Sequence, residues 1–515
     1  MRKTPVWSRL ARASRLAALA LWLGLAALHP PSPAHALTLS AATETELSAA
    51  ITAVNAAGAG SHTISLTANI ALTAPLPALS NSAATELLID GDGHSLIGDG
   101  AHTVLRVAPG TTARLHDLTI TGGRGDSGPA DNSGGAVYSA GRLTITGCIL
   151  SDNSAEAGGA VASVALNGDT WLSISDSTLS DNTASAFGGG LFVISNAGHV
   201  ATVALTNVIL TANESSSFGG GAHLTAGPQS EVVATITNTR FQANTARGSG
   251  GGLLAAASDG ELSLDLIGST LVNNSAESGG GVAQIITDSG VAETRLLRTT
   301  LANNSALAGA GVYNWAGSGG TAGLTLFNAT LSGNRATGPG GGLYVVGDGG
   351  AAGATVAYST LAGNTSAAGG GGIHVATPTG SPAAVTLNAT IISNGAGAGP
   401  DCARPSGSII SIGYNLAGDG TCFLIQDNDL PASPAGLLPL AANAPGGPPT
   451  RALLAGSRAR NRIHPGGAGC GTAITTDQRG APRPQPAGGR CDVGAFESQP
   501  GDPVGWAVYL PVLRK

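Results

Sequence analysis

The chain has 515 residues, with 24 Lys and Arg against 31 Asp and Glu, a net charge of −7 and 79 glycines. Glycine at about twice its usual share, without a Gly-X-Y period, excludes a collagen rod. The 42% hydrophobic content is too high and too regular for a disordered chain. Lysine occurs only at Lys3 and Lys515, so the chain carries no basic footprint for nucleic acid and repels anionic polysaccharides unless a metal intervenes.

The first segment is basic (Arg2, Lys3, Arg9, Arg12, Arg15) and is followed by an apolar run over 16–28. The small-x-small triplet Ala34-His35-Ala36 comes next. That order predicts a secretory signal peptide, residues 1–36, cut after Ala36. The apolar run is short of the ~20 residues of a membrane span. Cleavage takes the net charge from −7 to −12, and the mature chain is expected to carry no transmembrane helix. Residues 37–114 read as an N-terminal cap and first coils. Thr43-Glu44-Thr45-Glu46 has capping-box spacing, Leu47, Ile51 and Val54 follow at helical intervals, and Gly58 ends the pattern. Asp90, Asp92, His94 and Asp99 then form the densest titratable cluster. Asp90, Asp92 and Asp99 are candidate Ca²⁺ ligands, the one cofactor the sequence suggests, although Asp-Gly pairs are also ordinary turn chemistry.

Residues 115–399 repeat with a period of about 30, a solenoid period. Its marker is an asparagine at Asn153, Asn182, Asn213, Asn244, Asn274, Asn304, Asn334, Asn364 and Asn394. Three residues earlier stands a large apolar side chain, Leu150, Leu179, Leu210, Phe241, Leu271, Leu301, Leu331, Leu361 and Ile391 in turn. Thr270, Thr300, Thr330, Thr360 and Thr390 precede the last five. Glycine clusters such as Gly219-Gly220-Gly221 come after most asparagines. Each unit reads as an alternating strand, a Leu-x-x-Asn corner, a glycine turn, a second short strand and a polar loop. Strands repeating without helices stack as an all-β, right-handed parallel β-helix. The asparagines are expected to stack as a buried amide ladder. On that reading Asn334→Leu breaks the ladder and Asn314→Leu does not.

From residue 400 the period fails and proline rises, so 400–498 reads as an irregular C-terminal cap and 499–515 as a short tail. Two cysteine pairs fall close in sequence, Cys402 with Cys422 and Cys470 with Cys491, and local pairing is expected in an exported chain. Cys148 is left over, in what reads as a strand, and is expected to be a buried free thiol.

Phe241-Gln242-Ala243-Asn244 and Gly158-Gly159-Ala160-Val161 resemble the Phe-x-x-Asn and Gly-Gly-Ala-Ile marks of the polymorphic outer-membrane protein repeat, over roughly residues 115–395. That resemblance implies a surface-exposed, in some members adhesive, β-helix. Gly413-Tyr414-Asn415-Leu416, Asp477-Gln478-Arg479-Gly480-Ala481-Pro482-Arg483 and Cys491-Asp492-Val493-Gly494-Ala495-Phe496-Glu497 look like the choice-of-anchor Q domain. That domain closes secreted bacterial β-helix proteins ahead of a surface-attachment tail. The chain departs from it at Ser457-Arg458-Ala459-Arg460-Asn461-Arg462, where an Asp-bearing segment is usual, and Trp506 onward resembles a short sorting tail.

The expected function is therefore a secreted or cell-surface structural or adhesive protein, facing the cell envelope or an extracellular glycan or protein surface, with no catalytic residues assigned. The alternative is a carbohydrate-active β-helix enzyme of the polysaccharide lyase or glycosidase kind. Such an enzyme needs acids or bases on one face of adjacent coils. Aligned by the asparagines, Asp152 and Asp181 are the pair that stands out, and each lies beside a corner. Trp171 and Trp315 look isolated, too sparse for sugar stacking. Arg124-Gly125-Asp126-Ser127 spells an integrin-type tripeptide that a glycine-rich loop produces easily.

Overall fold

The computed structural model describes residues 36–125, 132–395 and 399–502. The segment up to residue 35 that reads as a signal peptide, Asp126 of the tripeptide with Ser127 after it, and the tail from Trp506 lie outside the described residues.

A single coil shows how the sequence makes the stack. Thr170–Ser175, Thr178–Ser180, Thr183–Phe187 and Leu191–Ser195 are four strands separated by sharp corners. Asp176 and Asp181 turn the first two corners with φ of 50° and 56°, which short polar side chains tolerate. Gly188 turns the third with φ 63°. Strands in the same position of successive coils pair in parallel, giving four faces of 14, 13, 8 and 11 strands among the described residues. The protein is an all-β parallel β-solenoid. The expected two strands per coil become four, because three-residue strands carry no readable alternation.

Hydrophobic side chains alternate inward along the faces. Leu172 and Ile174, Val203 and Leu205, and Leu264 and Leu266 belong to one core that runs the length of the stack. The N-terminal end is covered by α1 (Glu44–Ala56), which buries Leu47, Ala50, Ile51 and Val54 over the first coil. Thr43 caps it by accepting from the Glu46 N–H, and the Glu46 carboxylate reaches back to the Ala42 N–H.

The asparagine ladder forms as the spacing predicts, and its geometry is directional. Asn244 Nδ2 donates to Asn274 Oδ1 at 3.0 Å and to the Leu210 carbonyl of the preceding coil at 2.9 Å. Its own Oδ1 accepts from both the N–H and the Nδ2 of Asn213. Every polar atom of a fully buried amide is thereby paired. The glycine clusters belong to the same device. A Cβ at Gly221 would come within 2.5 Å of the Gly252 carbonyl and 3.1 Å of Asn244 Nδ2. Side-chain-free backbone is what lets coils approach beside the amides.

The last coil departs from the spacing. Ile392, not Ile391, pairs with Leu361. Thr390 belongs to a second buried column at the corner between the first and second faces, together with Ser177, Thr239, Ser269, Thr299 and Ser359. These hydroxyls donate to backbone carbonyls such as Ile267 and Leu297. Cys148 occupies this column, at the corner after Arg142–Thr146 rather than in a strand. It is a buried free thiol, and burial pushes it up to about 11.

Asn314 is not the neutral comparator expected. It is buried, accepts from Gln284 Nε2 at 3.1 Å and donates to Gly353 O at 3.0 Å, a second short amide pair inside the core. Gln242 lies on the outer side of a short strand, where its contact with Arg240 is exposed. Asn334→Leu is expected to lower unfolding free energy by about 1–3 kcal/mol more than Gln242→Leu in urea titrations, and equal losses would contradict the ladder.

Candidate functional site

The solenoid continues past residue 399 through Cys402–Ala403, Ser408–Ser411 and Leu416–Ala417. Both expected disulfides are present, Cys402–Cys422 and Cys470–Cys491. Residues 418–433 close the end of the stack, with Cys422 and Leu424 joining its core and Leu430 pairing with Leu416, and only the segment after them leaves it. It turns back and lies along the outer side of the second face. Outward side chains there are open in earlier coils, with Ile149 and Ile209 48% and 42% exposed, whereas Thr300, Thr330, Thr360 and Ile391 are at most 1% exposed.

The segments 477–483 and 491–497 make this contact. Gln478 Nε2 donates to Thr300 Oγ1 at 2.7 Å, and Gln478 Oε1 accepts from Thr330 Oγ1 at 2.5 Å, so one amide bridges two coils. The Ala495 N–H donates to Thr360 Oγ1 at 3.0 Å and the Gly494 N–H to the Ala389 carbonyl at 2.9 Å. A Cβ on Gly494 would strike Thr360 Oγ1 at 2.7 Å. The period that reads as repeated threonine in the sequence is therefore the docking surface of the C-terminal segment over three coils.

Charge is concentrated behind that contact. Arg479 pairs with Asp477 and Asp502, both at 2.9 Å, and lies 3.7 Å over the Phe496 ring. Arg483 donates to the Asp492 and Gly494 carbonyls, approaches Glu497 at 3.5 Å and lies over Tyr358. Asp492 accepts from the Asn461 and Ser498 N–H groups, so part of the divergent segment still serves the knot. Three carboxylates, those of Asp477, Asp502 and Glu497, meet two guanidinium groups, and Asp492 stands beside Glu497. Burial pushes Glu497 up to about 7, Arg483 opposes the shift and Asp492 adds to it. The cluster is committed to backbone and ion-pair contacts that hold the segment on the coils.

The acids singled out in the sequence are dispersed. Asp90 contacts His116 at 3.1 Å. Asp92 is an exposed turn residue with φ 47°. Burial pushes the Asp99 carboxyl up, but donors on His102 and Ala101 hold it below its usual range. No three His, Cys, Asp or Glu side chains gather into a metal-holding group among the described residues. Asp152 and Asp181 both take positive φ at corners, as turn chemistry requires.

The asparagine alignment overlooked another acid pair. Glu231 and Glu261 each stand thirteen residues before a ladder asparagine and sit directly opposite one another on adjacent strands of the first face. With His199 and Asp259 they line an open cavity of about 330 Å³. No family model matches the chain, and neither does any curated protein or solved structure.

The Glu497 shift sets a pH dependence. Its folded value lies above the ordinary 4.5, so its stabilising contribution is complete below pH 4.5 and is lost as pH rises through about 7. The thermal midpoint is expected to fall across this window, with the fall reduced in Glu497→Gln. An identical profile for the two proteins would contradict the assignment.

Proposed function

We propose that the protein is a secreted or cell-surface scaffold with a structural or adhesive role. The observation that carries this reading is where its buried polar chemistry goes. The amide ladder, the hydroxyl column and the C-terminal charge knot are all spent on stacking coils and docking the C-terminal segment. What remains is a stiff stack with long outer faces, suited to display. Two disulfides, and the lack of a helix long and apolar enough to cross a membrane among the described residues, are compatible with export. Fractionation of native cells with surface proteolysis is the test. Recovery from the surface or the medium with both disulfides formed is expected, and a cytoplasmic pool with reduced cysteines would refute the proposal.

Glu231 and Glu261 favour one alternative, a glycan hydrolase, because paired carboxylates are the minimum equipment of that chemistry. His199 and Asp259 border the same cavity, but no hydrogen bond among the described residues orients either glutamate carboxylate. Purified protein is expected to release no reducing ends or unsaturated products from polyuronates or neutral plant glycans, with or without Ca²⁺. Release that disappears in Glu231→Gln/Glu261→Gln would replace the scaffold reading with an enzyme.

A further inference from the structure

Trp315, which looks isolated in sequence, lies on the same outer face as a file of rings once the coils stack, with Ile285 and Val346 as its own neighbours in register. On the fourth face, Tyr313 pairs in register with Tyr344, and Tyr344 with His374, one ring per coil. Their centroids lie 5.5 and 4.9 Å apart. Trp315 is on the same strand as Tyr313, two residues on, and therefore on the same side of the sheet. That side is the outer one, since Val312, Leu343, Val345, Ile373 and Val375 fill the inner positions. The line continues through Ala403 into an open cavity of about 710 Å³, bordered by His374, Arg404 and Phe423. The Arg404 guanidinium lies 3.8 Å over the Phe423 ring.

Part of the polar chemistry along this line is unspent among the described residues. The Tyr313 and Tyr344 hydroxyls make no hydrogen bond among the described residues. His374 Nδ1 lies 3.0 Å from the Gly369 carbonyl, which makes it the protonated nitrogen and leaves Nε2 as an acceptor. Burial lowers the His374 pKa, so the ring is neutral at neutral pH. Asp348 is close enough to both tyrosines to raise them further, beyond the effect of burial. A negative ligand would meet that carboxylate on a chain that is already acidic.

We propose that the fourth face from Trp315 to Phe423 binds a neutral oligosaccharide laid along the solenoid axis. Sugars present C–H faces to rings and hydroxyls to phenols, imidazole and guanidinium, the combination found here. The coil spacing of about 4.8 Å is comparable to the length of one pyranose, so successive rings meet successive sugars. An apolar protein surface would instead strand the hydroxyls. The inference rests on the surface-scaffold reading and supplies its ligand class.

The test uses purified full-length protein with both disulfides intact, titrated with cellohexaose, mannohexaose and maltohexaose, and with hexagalacturonate as the charged arm. At least one neutral hexasaccharide is expected to bind. Trp315→Ala and Tyr344→Ala should each weaken binding about tenfold. Trp171→Ala, on the first face beneath Arg142, should leave it unchanged, with thermal midpoints confirming that all variants fold. Binding to none of the neutral sugars, binding indifferent to both ring variants, or binding to the uronate alone would each overturn the proposal. So would a dimer of wild type that Tyr344→Ala dissociates, since a second copy would then occupy the face. Because binding is read on purified protein, its failure in a chain found at the cell surface would remove this inference and leave the scaffold reading standing.

Discussion

A side chain that donates to the next coil and accepts from the previous one can be repeated without limit, but it cannot simply stop. Each end of an amide ladder leaves a buried group unpaired, at a cost of about 1–3 kcal/mol. The first end here is closed by backbone, since the Gly123 N–H donates to Asn153 Oδ1 at 2.9 Å. The last end needs an acceptor and finds Asp401, whose Oδ1 receives both the N–H and the Nδ2 of Asn394 at 2.8 Å. Asp401 Oδ2 receives the Gly418 and Asp419 N–H groups. Four donors converge on a buried carboxylate, which alone among side chains offers only acceptors. Burial pushes this carboxyl up while the Asn394 and Gly418 hydrogen bonds oppose the shift.

The same accounting explains why the C-terminal segment lies where it does. Parallel strands stacked at fixed spacing expose outward rows of identical hydroxyls, and Thr300, Thr330 and Thr360 form one such row. Gln478 and Ala495 satisfy it coil by coil, and the pairing of Arg479 with Asp477 and Asp502, with the Arg483 hydrogen bonds to the Asp492 and Gly494 carbonyls, fixes the segment that carries them. The second hydrophobic cluster, with Tyr358, Ile391, Ile463 and Phe496, is the apolar half of this contact. One repeat therefore performs two tasks: inward it builds the ladder, and outward it supplies the dock.

The solenoid was legible because the residues that define it act locally and recur: asparagine three residues after a leucine, glycine after asparagine, and a capping box ahead of Leu47. What escaped depends on which chain segments meet across long separations. Nothing in Thr300 or Gln478 announces a partner 178 residues away. Asp401 reads as one more loop acid until the coil closes. The hydroxyl column was hidden because serine, threonine and Cys148 are interchangeable there and fall just outside the strands. The file of Tyr313, Tyr344 and His374 was hidden because coil register, not sequence distance, brings these rings together on one face. The glutamates at 231 and 261 shared a visible offset from the ladder, and only the choice of corner residues for comparison concealed them.

The ladder's need for an acceptor-only terminus is tested most directly by Asp401→Asn, a change of one atom. The substituted amide would keep an oxygen for Asn394 but turn an NH₂ towards the Gly418 and Asp419 N–H groups. Urea unfolding of the disulfide-intact variant should show a loss of about 1–3 kcal/mol at pH 7, with faster amide exchange at Asn364 and Asn394 than in the middle coils. An unchanged midpoint, with wild-type protection at the last two ladder positions, would contradict the account.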